Sequence, residues 1–403
     1  MLALAGFPNG TGAVPGRRVV VTGLGVVASC GIGVKQFWHG LLATPPTGRV
    51  RPIEGFDASG VYGPREIRRV DRFTQLAAVA AEEAVTDAGG IKAFRGDPDR
   101  AGTLIGTGVG GLDTLCEQHQ VLMERGAGRV SPFLVPMIMG NRASADISMR
   151  YGLRGPAETT VTACAAGTQS IANAARLIAA GHCDVMVAGG CEAPLSDLGV
   201  AAFANMTTLS RSGISMPFDA GRDGFVIGEG AGIVVLEERQ RAMSRGAHLY
   251  AELAGAGSNA DAHHITAPAP DGGGAARCMR LAMSDAQLGP GDVAHINAHG
   301  TSTPLNDISE GEAILTVFGT PGPPVTSIKG VIGHTLAAAG AIETVAIALS
   351  FAHRLIPPTA GTRHPALPID LVIGEPRQWA PGPTLSNSFG FGGHNGCLLL
   401  VPA

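Results

Sequence analysis

One thiol and two imidazoles stand out by the company they keep. Cys164 lies in Val161-Thr-Ala-Cys-Ala-Ala-Gly167, His299 in Asn297-Ala-His-Gly-Thr-Ser-Thr303 and His334 in Lys329-Gly-Val-Ile-Gly-His334. A glycine-rich loop, Asn387-Ser-Phe-Gly-Phe-Gly-Gly-His-Asn395, completes the set. A thiol suits acyl groups that arrive and leave as thioesters, because the exchange is nearly isoenergetic and the bound acyl stays activated. Ile171, Ala174, Ala175, Leu177 and Ile178 recur at helical spacing up to Gly181, which predicts Cys164 at the amino end of a largely apolar, buried helix. Unpaired N–H groups and the positive end of the macrodipole there are expected to stabilise a thiolate and lower its pKa. A cysteine among small residues is, by itself, usually a buried spectator. The histidine motifs overturn that bland reading.

His299 ends the apolar segment Val293–Ala298 and enters a Gly/Thr/Ser turn, which predicts the carboxyl edge of a strand, where active-site loops gather. His334 opens the helix-like run Thr335 to Phe351. Either histidine alone would be structural more often than not, and the two are not at metal-ligand spacing. Attack on a thioester builds an oxyanion, and decarboxylation of a malonyl thioester builds an enolate. A site performing both steps needs donors at two different oxygens. Two neutral histidines presenting N–H groups suit the enolate, and backbone N–H groups suit the oxyanion.

On these motifs, together with Val19-Val-Val-Thr-Gly-Leu-Gly25, Pro217-Phe-Asp-Ala-Gly-Arg-Asp-Gly-Phe225 and Gly228-Glu-Gly230, the chain resembles the elongating β-ketoacyl-[acyl carrier protein] synthases of the thiolase superfamily. The likeness runs from Arg17 to Val401 and is greatest to synthase II and to the ketosynthase alpha subunits of type II polyketide pathways. It implies an α/β thiolase-like fold of two pseudo-duplicated halves in five layers, α-β-α-β-α. Position by position, it implies Cys164 as acyl acceptor and His299 with His334 as the pair that promotes decarboxylation. Lys329 would be a supporting charge paired with Glu310, and Asn395 a supporting residue of the glycine-rich loop. The N–H groups of Cys164 and Phe391 would form the oxyanion hole, and Phe391 with Phe389 would gate the pocket, flanking glycines letting the backbone swing. Val109 would border the acyl tunnel, which runs toward Phe133 in the dimer partner's segment Pro132–Met139. The substrates would ride on the phosphopantetheine of acyl carrier protein, with no separate cofactor and no metal.

The same likeness implies a homodimer, or a heterodimer with a chain-length-factor subunit. Arg65, Arg68 and Arg69 cluster on one predicted helix, with Arg125, Arg129 and Arg211 in loops, and the family holds its acidic carrier protein with basic residues in these regions. Without that likeness such a run is an ordinary solvated face. Between Phe56-Asp57 and Arg68–Phe73 relatives carry about a dozen more residues, read as an extra strand segment by alternation; here the stretch is only Ala58 to Ile67. His394 stands where many relatives have threonine and reads as structural.

Two other functional classes remain in view. A non-catalytic chain-length-factor-like subunit would share the fold but lack the cysteine, and Cys164, His299, His334 and Lys329 are all present. Initiating synthases and thiolases pair the cysteine with His/Asn or with a second Cys. Gly23-Leu-Gly-Val-Val-Ala28 fits the GxGxxA form of a dinucleotide fingerprint, but the acidic residue expected about twenty positions on is missing. Gly106-Thr-Gly-Val-Gly-Gly111 lacks the Lys-Ser/Thr of a phosphate loop and reads as a turn bordering the acyl pocket.

Composition agrees. With 403 residues, 59 of them Gly, 45% hydrophobic and only 4% aromatic, the chain can bury a large core of closely packed helices and sheets. Short β-branched runs (Arg18–Thr22, Val185–Ala188, Gly232–Leu236, Leu398–Val401) alternate with helical stretches (Phe73–Ala88, Ser170–Ala180, Thr335–Ala352), the pattern of α/β layers. The expected organisation is a flexible arm over residues 1–16, an N-terminal half over 17–250 and a C-terminal half over 251–403. Net charge −4 gives no drive toward nucleic acid. No apolar run reads as membrane-spanning and no signal peptide is evident. Seven cysteines without CxxC spacing fit reduced thiols in the cytosol.

Overall fold

The β-branched runs pair in an order that occurs twice. In the computed structural model, which describes residues 17–91 and 96–403, strand Val19–Ala28 pairs antiparallel with Gly230–Glu238, and that strand antiparallel with Val185–Glu192. The set continues in parallel to Ala101–Gly106 and Ala157–Glu158. Downstream, Ala251–Ala260 pairs antiparallel with His394–Pro402, which pairs antiparallel with Thr384–Gly390. This set too continues in parallel, to His295–Asn297 and Val325–Thr326. The two five-stranded sets join where Val19–Val21 meets Ala251–Leu253. Antiparallel, antiparallel, parallel, parallel, performed twice, is the pseudo-duplicated thiolase-like fold, and the change from one set to the other falls between Glu238 and Ala251. The expected arm, residues 1–16, lies outside the described residues.

Helices fill both sides of each set, so the strands are buried on two faces. Along Gly230–Glu238, Val234 and Leu236 pack with the central helices while Ile233 and Val235 pack with the outer one, the period-two alternation of a strand. Arg72–Asp87 covers the first set from outside, and Gly273–Asp285 with Pro304–Phe318 covers the second. Ala166–Ala179 and Ala339–His353 form the middle layer. Every residue from Ala339 to Phe351 is buried, as a helix hydrophobic all round must be. Leu336–His353 is in fact long and apolar enough to cross a membrane, contrary to the sequence expectation, but 89% of it is buried inside the protein.

Two other expectations change. The fingerprint-like Gly23 and Gly25 are not in a phosphate turn; they lie inside a ten-residue strand. A Cβ on Gly25 would stand 1.9 Å from the carbonyl oxygen of Ala80, and one on Gly23 2.2 Å from that of Ala84. These glycines let helix Arg72–Asp87 lie directly on the strand. The arginine run, in turn, does not form a helix. Only Ile67–Arg69 makes a single 3-10 turn, because Asp71 caps the next helix through Phe73 N–H and holds residues 70 and 71 extended. Arg65, Arg68 and Arg69 are exposed around that turn.

Gly25→Ala forces the strand and helix apart, and a loss of about 1–3 kcal/mol in unfolding free energy is expected from such overpacking. Urea unfolding of the variant beside the parent chain measures it, whereas alanine at the open position Gly60 should cost far less.

Candidate active site

Cys164 sits where the sequence puts it, at the start of a buried helix. The turn Ala163–Ala165 runs directly into Ala166–Ala179; neither has a side-chain cap, and the Ala165 and Ala166 N–H groups donate to the carbonyls of Thr162 and Ala163. Ala163 holds φ 49°, a left-handed conformation that costs a non-glycine residue about 1–2 kcal/mol. The glycine-rich loop presses against this turn: a Cβ on Gly390 would lie 3.0 Å from Cys164 N. The Phe391 and Cys164 N–H groups both favour the thiolate and pull the thiol pKa down. These are the two amides expected of the oxyanion hole.

The two histidines arrive from the other half. His299 follows strand His295–Asn297, and His334 hangs from Val226 by its backbone N–H at 2.7 Å. His334 Nε2 lies 3.1 Å from Cys164 Sγ, and the rings of His299 and His334 stand edge to face with centroids 5.3 Å apart. Burial first, and the Lys329 ammonium second, hold both imidazoles well below the usual histidine range, so both are neutral near neutral pH. Neither Nδ1 has a hydrogen-bond partner among the described residues. The ligand atoms of Cys164, His299 and His334 lie within 4.8 Å of one another, a closeness that their sequence spacing does not suggest.

The thiol departs from expectation. Burial pushes Cys164 up to about 12, against the pull of Lys329 and the two amides. The helix terminus thus offsets part of a desolvation cost and does not produce a resting thiolate. Lys329 also departs. Its ammonium pairs with Glu343, both side chains fully buried, and not with Glu310. Glu310 instead accepts from His299 N at 2.8 Å, Gly300 N at 2.7 Å and Asn387 Nδ2 at 3.1 Å, which fixes the loop carrying His299. Its oxygens are spent on that loop, leaving the lysine to the one acid in helix Ala339–His353. That lone carboxylate in an apolar helical run was a visible signal for a buried partner.

These groups open on a cavity of about 650 Å³ lined by Cys164, His299, His334, Val109, Phe389 and Phe391, among others. Asn395 also lines it, and its amide donates to Asn259 at 2.9 Å and Asp261 at 2.7 Å, tying the glycine-rich loop to strand Ala251–Ala260. His394 lines the cavity too, nearer the chemistry than its structural reading implied. Phe133 does not line this chain's cavity: its ring lies under Arg69, 4.3 Å from guanidinium carbon to ring centroid. Arg125, Arg129 and Arg211 are exposed. The sequence reading missed Glu343, and it missed Glu192, a buried acid in the cavity wall.

A buried thiol, two neutral imidazoles and paired amides, supplied by the two halves of a thiolase-like fold, define a cysteine-dependent acyl-transfer site. Two family models match, Beta-ketoacyl synthase, N-terminal domain, over residues 43–242 and Beta-ketoacyl synthase, C-terminal domain, over residues 250–363. The chain is 42% identical over 405 residues to a 3-oxoacyl-[acyl-carrier-protein] synthase 2 of Staphylococcus aureus (strain COL), covering 95% of this chain and 98% of the relative. Among solved structures it is similar to the ishigamide ketosynthase/chain length factor, with TM-score 0.89 and 33% identity over 96% of this chain and 99% of that one. It is also similar to a type II polyketide acyl-carrier protein in complex with its ketosynthase bound to the hexaketide, with TM-score 0.87 and 32% identity over 96% and 99%. The chain belongs to the β-ketoacyl synthase family.

Removing one member of a buried ion pair leaves the other uncompensated, so Lys329→Ala should cost about 3–5 kcal/mol of stability. A double-mutant cycle by chemical denaturation should find strong coupling between Lys329 and Glu343, and weak coupling between Lys329 and Glu310. The reverse ranking would restore the pairing expected from sequence.

Proposed function

We propose that the chain catalyses decarboxylative Claisen condensation between an acyl group held on Cys164 and malonyl-[acyl carrier protein], giving β-ketoacyl-[acyl carrier protein]. The observation that carries this reading is the convergence of the Cys164 sulfur, His334 Nε2 at 3.1 Å and neutral His299 in the wall of one cavity. Cys164 attacks the incoming thioester, its proton passes to the departing pantetheine thiolate, and the oxyanion is met by the N–H groups of Cys164 and Phe391. A malonyl thioester then enters; its C–C bond to the carboxylate breaks, CO2 leaves, and the enolate oxygen takes N–H donors from His299 and His334. The enolate carbon bonds to the acyl carbon, the Cys164 thiolate departs, and one proton restores the thiol. The neutrality of both imidazoles supports their role as donors, since a donor that starts uncharged needs no neighbouring anion. No step uses a metal or a separate cofactor.

The carrier protein is the proposed partner, a reading supported by the solved complex of a similar ketosynthase with its acyl-carrier protein, and exposed Arg65, Arg68, Arg69, Arg129 and Arg211 are its proposed docking charges. A dimer is proposed too, either with itself or with a chain-length-factor subunit as in similar ketosynthase structures, Phe133 then reaching the partner's tunnel. Residues 17–250 and 251–403 are the proposed halves, and the cytosol is the proposed location, supported by seven free cysteines.

Cys164→Ala should abolish acyl labelling and condensation together; normal labelling by mass spectrometry would overturn the assignment. His334→Ala keeps Lys329 and both amides beside the sulfur. It should therefore still load acyl groups while malonyl decarboxylation falls by about a hundredfold or more, the usual effect of removing such a donor. Equal impairment of loading and CO2 release would refute that division. Val109→Phe should fill the tunnel and shift products shorter at a cost of about 1–3 kcal/mol. An unchanged product distribution in a folded, active variant rules out the tunnel reading.

A further inference from the structure

The carboxylate of Glu192 has no part in the steps above, yet it sits in the cavity wall with Cys164 and is 1% exposed. It ends strand Val185–Glu192. Its oxygens accept from Gly108 N at 2.7 Å, Val109 N at 3.2 Å and Thr107 Oγ1 at 3.1 Å. The Ala337 N–H, in the turn that follows His334, also faces it and favours its charged form. The approach is close on both sides: a Cβ on Gly108 would lie 2.5 Å from Glu192 Oε2, and one on Gly190, two residues up the strand, 2.6 Å from Ala337 O.

We propose that Glu192 is a positioning residue that sets acyl-chain preference, its carboxylate clamping the Thr107–Val109 edge of the cavity to the turn behind His334. Backbone N–H groups of a loop have many orientations open to them, and a single buried acceptor that takes several at once fixes their relative placement. Here the clamped residue is Val109, whose side chain borders the acyl cavity, and the fixed reference is the loop that carries the catalytic imidazole. The clamp thus ties the wall along which the chain runs to the atom at which the chain reacts. Burial pushes the Glu192 carboxyl up to about 7, the Val109 and Gly108 N–H groups opposing it, so the site tolerates a costly group for the sake of its hydrogen bonds. The charge also acts on the nucleophile: Glu192 raises the Cys164 thiol, as burial does and as Lys329 opposes. Glu310, Glu343 and the two neutral histidines are also near this centre, and Asp261 and His394 line the same cavity. A carboxylate that makes the nucleophile harder to ionise, kept beside it, argues for a geometric task.

This inference rests on the reading of the cavity as the acyl site, and the test separates the two. Glu192→Gln is nearly isosteric but exchanges one acceptor oxygen for an N–H donor facing a backbone N–H. Its kcat/KM for a long acyl-carrier substrate relative to a short one should fall about tenfold, the effect of one such hydrogen bond, mainly through KM. The pH profile of Cys164 alkylation by iodoacetamide should move to lower pH, because a negative charge has left the vicinity of the sulfur. A merely structural role would lower the melting temperature and slow all chain lengths alike. Thr107→Val, which removes one hydroxyl from the same cluster, should shift chain preference in the same direction by a smaller factor and covers the case of a Gln variant that fails to fold. If Val109→Phe changes the product lengths while folded Glu192→Gln and Thr107→Val leave the long-to-short ratio at its parental value, the clamp is wrong and the acyl cavity stands. If none of the three changes chain preference, both assignments fall.

Discussion

The contact between the two middle helices governs everything at the active centre. Cys164 belongs to one half and His334 to the other, so their 3.1 Å separation is only as exact as the packing of Ala166–Ala179 on Ala339–His353. Glycine makes that packing close. A Cβ on Gly167 would reach within 2.7 Å of Ala337 O, and one on Gly340 within 1.8 Å of Thr168 Oγ1 and 2.7 Å of Ser388 Oγ. Thr168 and Ser388 share a hydrogen bond of 2.7 Å across the same seam, linking the nucleophile's helix to the glycine-rich loop. A methyl group at either glycine would separate thiol from imidazole before it disturbed anything else, since interiors at crystal-like density move neighbours as a body.

Around that seam the protein accepts several buried polar groups and gives each a narrow task. Glu310 spends its oxygens on backbone N–H groups and so fixes His299. Glu343 pairs with Lys329, whose ammonium adds to burial in keeping the imidazoles uncharged and draws the thiol down. The balance of these effects leaves a thiol that is protonated at rest and two histidines that are not. Reactivity therefore depends on an arriving substrate displacing solvent and presenting its carbonyl to the amides. A resting thiolate would be open to oxidation and alkylation between turnovers; this one is guarded by its own desolvation.

Much of this was legible from residue types alone. Helical spacing after Cys164 and the apolar run before His299 put both side chains on the right kind of element, and the long motifs identified the fold. What failed did so for physical reasons. The Lys329 partner was open to two readings, because both Glu310 and Glu343 lie within helices that approach the site; the lone acid of an apolar run marks Glu343 as needing a buried partner, and packing decides that the partner is Lys329. The arginine run looked helical until the capping requirement of Asp71 claimed the residues before it. Gly23 and Gly25 mimic a nucleotide turn because close packing of helix on strand and close approach of phosphate to backbone both demand a missing Cβ. The thiol's protonation state depends on the sum of burial and several charges, which no local pattern encodes.

The repeated strand order has one more consequence. Cys164 lies between the edge strand Ala157–Glu158 and the middle helix of the first half; His334 lies between the edge strand Val325–Thr326 and the middle helix of the second. Nucleophile and imidazole thus occupy equivalent loops. A single unduplicated half that paired with itself would carry the same side chain on both loops, two thiols or two imidazoles facing one another across a symmetry axis. Only when the halves are encoded separately, as in one continuous chain, can the loops diverge into complementary partners. The asymmetry of the chemistry is something that perfect symmetry of the fold would forbid.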